Sequence, residues 1–456
     1  MDYGWILEKC FEIEEKITHW RRAIHALAEV RFETHRTQEL IASELGKMGL
    51  FARFVGGGVV CEIQGTGVRD VSHGENGVSS ARFTRGDSTS PLTNKDGKYM
   101  EKVTGKGQIL PKSHDKKRCV LLRADIDALP ITEMTELEFG AKNGNMHACG
   151  HDIHAASLLG AAFVLADNRD KFSGTVKLAF QSAEEALLGA KCMIEAGVLE
   201  NPRVEACFAL HTVVGTEYET GSVIIPSGEL SAPYADFFKI VVLGKGGHGA
   251  IPQESKNAAL SGAAMAVALE ELAKNGDGSF SLSICQINSG DAPNVIPERC
   301  EICGTLRTLH PKVREASLGQ MEKICKNTSA LYGCTSSVEL TSGTNALFCD
   351  EKLAKSAEEC LKSAYNSPKV QASASVFQTP NREVRASTPS EDFAVFATQA
   401  PSLLVGLCAG KGSDGFSYPL HNPRVIFDEG ALPFGAAIYT ALAVNLLQRQ
   451  NRDSNS

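Results

Sequence analysis

The 456-residue chain shows no basic excess, no membrane-length apolar run and no pattern of a secretory leader. Lys and Arg number 46 against 54 Asp and Glu, a formal net charge of −8. A general nucleic-acid binder normally carries a basic excess on at least one domain, so no nucleic-acid partner is expected. No window approaches the roughly 18 uninterrupted apolar residues of a membrane helix, and no membrane partner is expected either. The N-terminus, MDYGWILEKCFEIEEKI, scatters charges through its apolar positions instead of placing a basic segment before an apolar one. The fourteen cysteines therefore read as reduced thiols of a cytoplasmic protein, not as a disulfide framework. At roughly 100–200 residues per domain, the chain has room for two or three domains with real cores.

One segment lacks what a core needs. From Thr66 to Lys117 only 11 of 52 positions are hydrophobic, seven are Gly, and bases outnumber acids ten to six. Burial of so little apolar surface cannot offset the entropy of ordering, so 66–117 is expected to be a disordered surface insertion. Around it, short apolar runs at Arg118–Arg123, Thr175–Phe180 and Ala206–Leu210 read as buried parallel strands. Asp152–Asn168 is Ala-rich and opens on an Asp suited to an N-cap, which predicts a helix. Strand, helix, strand in repetition predicts an α/β domain with a mostly parallel sheet.

Beyond Gly228 the order changes to strand (Asp236–Leu243), helix (Asn257–Leu272), strands (Ser279–Asn288 and Arg299–Leu309), helix (Lys312–Tyr332) and strand (Cys334–Leu340). That is β-α-β-β-α-β, which predicts a second domain at 229–342 inserted between two parts of the first, 1–228 and 343–448. A last helix, Glu429–Gln448, apolar on one face, is expected to pack on the first domain, and 449–456 to fray.

Polar clusters stand beside these runs. Asp125 and Asp127 follow the first, Glu184 and Glu185 the second, and His211 the third. Cys149 and His151, in MHACGHD, precede the Ala-rich helix, and His421 lies in the turn PLHNP. In open α/β sheets the ligand crevice lies outside the carboxyl ends of the strands, so these distant residues are expected to converge. Cys, His and Glu together are a metal-ligand vocabulary. Gly150 lets a loop turn both Cys149 and His151 toward one ion, which would hold Cys149 as thiolate. In a strand-to-helix turn one of Glu184 and Glu185 can ligate while the other stays free as general base. Singly these signals are weak, since a Glu pair is usually solvated surface and a strand-end His usually packs; joint placement carries the reading. His147 and His154 are expected to support the site, and His19, His25, His35, His73, His114 and His310 to be structural or surface residues.

These residues resemble the M20 metallopeptidases, in particular the aminoacylase, hippurate hydrolase and indole-acetyl amino acid hydrolase branch. The matching strings include FETHRT, LRADIDALPI, NMHACGHDIHAA, FQSAEE, GKGGHGAIP, NVIPERCEICGTLRT, SEDF and PLHNPR, in the family's order over nearly the whole chain. The resemblance implies a metal-dependent amidohydrolase that cleaves N-acyl amino acids or short peptides. The implied fold is an α/β, mostly parallel-sheet catalytic domain with an inserted ferredoxin-like lid, through which a homodimer or higher oligomer would form.

It further implies two divalent ions (Mn²⁺, Zn²⁺ or Co²⁺) on Cys149, His151, Glu185, His211 and His421, with Glu184 as catalytic base and Asp125 in support. His248, in GGHG, would stabilise the oxyanion, and Asn294 and Arg307 would hold the substrate carboxylate. The chain departs from the branch at Gln253 and Asn257, where His and Asp are frequent, and at Ala28, where Pro is frequent. A dipeptidase of the same family is the near alternative. A cysteine hydrolase using Cys149 would leave Glu184, Glu185, His211 and His421 without a task; a binding protein that had lost catalysis would leave both base and ligands without one.

Overall fold

The computed structural model describes residues 3–67, 118–226, 230–274, 278–367, 369–370, 373–379, 385 and 388–448. The insertion expected at 66–117 lies outside the described residues from position 68, taking His73 and His114 with it, as does the tail at 449–456.

Sixteen strands are present among the described residues. Six precede the inserted portion: β1 (Ala52–Val55), β2 (Gly58–Thr66), β3 (Cys119–Asp125), β4 (Ser173–Gln181), β5 (Ala206–Val213) and β6 (Val223–Pro226). Then come β7 (Leu230–Ala232), β8 (Tyr234–Leu243), β9 (Gly247–His248), β10 (Phe280–Asn288), β11 (Val295–Ile296), β12 (Arg299–Thr308) and β13 (Thr335–Thr344). β14 (Leu347–Phe348), β15 (Val376–Thr379) and β16 (Ser402–Cys408) complete the set.

Eight strands form one sheet in the order β1-β2-β4-β3-β5-β16-β6-β15. Its centre, β4-β3-β5-β16, is parallel throughout, while β1, β2 and the β16–β6 junction run antiparallel. Every residue of β3 is buried, as expected of a parallel strand covered on both faces. Helices His151–Asp167 and Leu432–Gln448 pack on each other and on β3 and β5. The sequence suggested a last helix apolar on one face, but in Leu432–Gln448 all except Leu446 and Gln448 are buried. Its polar groups are satisfied inside: the Tyr439 hydroxyl donates to the Arg123 carbonyl at 2.6 Å, and the Asn445 amide to the Ser356 hydroxyl at 2.7 Å. The segment Glu429–Gln448 is long and apolar enough to cross a membrane, yet 89% of its apolar window is buried inside the fold. It is a core helix.

The second sheet, β10-β12-β8-β13, is antiparallel, with helices Ala258–Lys274 and Pro311–Leu331 against one face. Alternation builds it: Phe238, Ile240 and Val242 of β8 and Ile302 and Leu306 of β12 point toward Met265, Leu269 and Met321 of the helices. This core is separate from that of the large sheet. The expected β-α-β-β-α-β order is present, with a two-residue ladder, β9 against β11, that no sequence pattern announced.

Candidate active site

β3 and β4 run side by side in register and end together, Asp125 opposite Gln181. Beyond Gln181 the chain turns sharply, with Ala183 and Leu187 both at positive φ (58° and 55°). The turn sets Glu184 and Glu185 next to each other, and the Asp127 carboxylate fixes it by accepting the Glu184 N–H at 3.0 Å and the Glu185 N–H at 3.3 Å. Gly150 sits at φ 85°, where an added Cβ would come within 2.4 Å of the Thr212 hydroxyl. Only glycine fits there, and the chain reverses between Cys149 and His151. The helix therefore starts at His151, one residue before the expected N-cap. Asp152 does not cap it, because its carboxylate is taken by Arg21 at 2.7 Å and His25 at 2.8 Å. β5 runs on to Val213, so His211 lies within the strand and not at its end. His421, at φ 65°, is tied to the Cys149 loop by its N–H to the Ala148 carbonyl at 2.9 Å.

These elements bring the predicted residues together. Cys149 Sγ lies 3.5 Å from His211 Nε2 and 3.4 Å from His421 Nε2. Glu185 Oε1 is 3.5 Å from His421 Nε2 and 3.9 Å from His151 Nε2, and Glu184 Oε2 is also 3.9 Å from His151 Nε2. His151 Nδ1 donates to the Asp127 carbonyl and His211 Nδ1 to the Thr212 carbonyl, both at 2.8 Å. In each ring this leaves the Nε2 lone pair facing the cluster. His151 Nε2 and Glu185 Oε1 are buried without a hydrogen-bond partner. Two triads of donor atoms, Cys149–His151–His211 and Cys149–Glu185–His421, each lie within 4.8 Å and share the thiol.

The electrostatics ask for positive charge. Burial, then Glu391, Glu185 and Asp392, push the Glu184 carboxyl well above its usual range. Burial, with Asp127 and Asp125 adding, pushes Glu185 up to about 7. Burial and Glu185 raise the Cys149 thiol well above its ordinary value. Burial, then His154, lowers His211 to about 4, leaving its imidazole neutral. Burial opposes the charge of His151, but Asp125 and Cys149 outweigh it and raise that ring well above its ordinary value. Crowded carboxylates, a thiol, a neutral His211 ring and orphaned buried donor atoms are what a site for cations looks like, since a cation stabilises the anionic forms that burial penalises. The residues fit a pair of divalent ions.

Asp125 lies behind His151, with Oδ2 3.7 Å from its Nε2 and 2.7 Å from Arg123, and Oδ1 2.5 Å from His154 Nδ1. His154 Nε2 in turn accepts the Thr212 N–H at 2.8 Å, so this ring is a strut and not an open ligand. A second layer went unread in the sequence. Arg123, wholly buried, pairs with Asp125 at 2.7 Å, Asp392 at 2.8 Å and Glu391 at 3.1 Å, while the Asp392 N–H points at Glu184 Oε1 at 3.4 Å. Its signal was a charge inside a strand whose neighbours are all apolar, paired with the acids of SEDF.

His25, expected to be structural or surface, is buried between Asp152 and Glu133, 3.2 Å from the latter. Burial opposes its charge, but the two carboxylates outweigh it and raise the ring above its ordinary value. A raised folded-state value means a stabilising contribution that is present in full below the unfolded value of about 6.5 and lost as pH rises through the folded value. His25→Asn should therefore cost roughly 3 kcal/mol near pH 6 and distinctly less near pH 9. Urea midpoints at the two pH values measure it; a cost independent of pH would show that the ring acts without its charge.

The lid residues stand apart from this cluster. His248 on β9 and Asn294 beside β11 are both exposed, and they neighbour each other, with the Gly249 N–H on the Asn294 carbonyl at 2.9 Å. Arg307 on β12 is half-buried, and burial, His151 and the Arg307 charge together lower His421.

Residues 121–445 match the sequence profile of the Peptidase family M20/M25/M40. Thermostable carboxypeptidase 1 of Saccharolobus solfataricus is 33% identical over 442 residues, 95% of this chain and 96% of that one. N-acetylcysteine deacetylase of Bacillus subtilis is 33% identical over 333 residues, covering 72% and 82%. Among solved structures, the Bacillus subtilis YXEP protein, described as a dinuclear metal binding peptidase from the M20 family, superposes with a TM-score of 0.66 at 25% identity, over 96% of this chain and 99% of that one.

Proposed function

The chain belongs to peptidase family M20/M25/M40, and from that membership and the geometry of the cluster we propose a hydrolase that cleaves the amide bond of N-acyl amino acids. The shared thiol carries this reading: Cys149 joins His151 and His211 on one side and Glu185 and His421 on the other, a donor set for two divalent cations. Thiolate, imidazole and carboxylate together accommodate zinc, cobalt or manganese. When bound, such ions supply Lewis-acid polarisation of the carbonyl and make water more acidic.

The side chains do the rest. Glu184, held at the cluster by the Asp127 carboxylate and the Asp392 N–H, takes a proton from the attacking water and returns it to the leaving amine. Its raised affinity for protons suits both steps. Asp125 and His154 hold His151 in place from behind. Arg307 offers a guanidinium fork to the substrate carboxylate. The catalytic part is assigned to 1–228 and 343–448 and the lid to 229–342. His248 and Asn294, exposed in a single chain, would serve the cluster of a second copy in a homodimer formed through the lid. Exposed Leu260 and Val267 of the lid helix and Val295 of β11 support such a contact. A reducing, cytoplasmic setting suits an enzyme whose proposed metal donor Cys149 is a thiol.

Metal-loaded protein assayed on N-acetyl and N-benzoyl amino acids against unblocked dipeptides tests the substrate class. Faster turnover of N-acyl amino acids is expected; preference for unblocked dipeptides would assign the protein to the dipeptidases of the family. In the same assay Arg307→Ala should raise KM roughly 10- to 100-fold for substrates with a free carboxylate, the loss of a charged hydrogen bond. C-amidated substrates should be little affected, and equal effects on both would remove Arg307 from that role.

A further inference from the structure

We propose that Cys285 and Cys303 are a thiol pair on the helix-free face of the lid sheet that closes to a reversible cross-strand disulfide. Cys285 is the one exposed cysteine of the fourteen, and Cys303 is among the few that are not buried. They meet at an irregularity in the sheet. β10 pairs with β12 through Ile284 opposite Gly304 and then Gln286 opposite Cys303, so Cys285 is an extra residue bulged out of the ladder beside Cys303.

Burial gives the direction of the side chains. Ile284 packs into the lid core, and Ile287, exposed near the strand's end, shares by register the face of the buried Ile302 opposite it. The two residues between them, Cys285 and Gln286, therefore both project to the other face, which is also the face of Cys303 because its neighbours Ile302 and Gly304 are buried. In a bulge two residues face one on the partner strand, so Cys285 shares with Gln286 the place across from Cys303, where ladder Cα atoms lie roughly 4.5 to 5.5 Å apart, inside the range a disulfide spans. The Cys285 thiol makes only a long contact, 3.9 Å, to the Ser283 carbonyl. Arg307 projects from the same face of β12, four residues from Cys303. The thiols thus sit on the face of the sheet away from the helices.

The chemistry balances with a low-molecular-weight disulfide as oxidant. The Cys285 thiolate attacks it and releases one thiol; Cys303 loses its proton, attacks the Cys285 sulfur and releases the second. Two protein thiols are oxidised to one bond, and one disulfide is reduced to two thiols. Metal-loaded full-length protein incubated with glutathione disulfide and peptide-mapped without reductant tests this. The expected result is a Cys285–Cys303 linked peptide that dithiothreitol reverses. In Cys303→Ser, Cys285 should be held as the glutathione mixed disulfide, and in Cys285→Ser, Cys303 should stay unmodified. Wild-type protein carrying glutathione on Cys285 without the internal bond, or leaving both thiols free, overturns the proposal.

Discussion

Replacing Glu184 with alanine is expected to leave a protein that still binds its metal ions but has lost turnover by roughly 10²- to 10⁴-fold, the usual contribution of a positioned general acid and base. The expectation rests on the division of labour between two adjacent carboxylates. Glu185 Oε1 reaches both His151 and His421 and belongs to a donor triad with Cys149. Glu184 is also 3.9 Å from His151 Nε2, but it shares no donor group with the thiol, and its side chain accepts the Asp392 N–H. Glu185→Ala should therefore lower metal content as well as turnover, and Glu184→Ala turnover alone. Metal analysis beside kcat separates them; loss of metal from the Glu184 variant with activity retained would reverse the two roles.

Removing the ions should have an effect at least as large. A chelator is expected to reduce turnover by about 10³-fold or more, since Lewis-acid stabilisation is worth several kcal/mol. Added Mn²⁺, Zn²⁺ or Co²⁺ should restore it. The thiol makes this the decisive comparison with a cysteine hydrolase. A nucleophilic Cys149 would survive chelation, and it would need a lowered thiol pKa, whereas burial and Glu185 push this thiol upward when no cation is beside it. Activity that persists in the chelated, metal-free protein would refute the two-ion reading.

The order of strands and the ligand types were legible in the sequence because both are local. Apolar runs announce parallel strands; the Glu pair and His211 each follow one, Cys149 and His151 stand at the start of the Ala-rich helix, and His421 lies in the PLHNP turn. What is set by contacts across the fold was not legible. Arg123 hid inside an apolar run, and its partners Glu391 and Asp392 lie more than 260 residues away, brought near only by tertiary packing. Asp152 was read as a cap because caps are read from neighbours; its partners Arg21 and His25 come from another helix. The all-round burial of Leu432–Gln448 escaped for a similar reason, since its few polar residues find partners on β3 and on the helix Glu351–Tyr365, which composition cannot foresee.

That buried helix also fixes an order of events during synthesis. The lid sheet and its helices come from one uninterrupted stretch, so this part can close as soon as its own residues emerge. The large sheet cannot. β16, the helix Leu432–Gln448 and the proposed fifth metal donor, His421, leave the ribosome only after the whole lid has been made. At roughly 5–20 residues per second, the thiol and the first histidines spend many seconds in a nascent chain that cannot yet form the complete donor set. Assembly of the complete donor set thus waits until the segment from β16 to the helix Leu432–Gln448 has emerged.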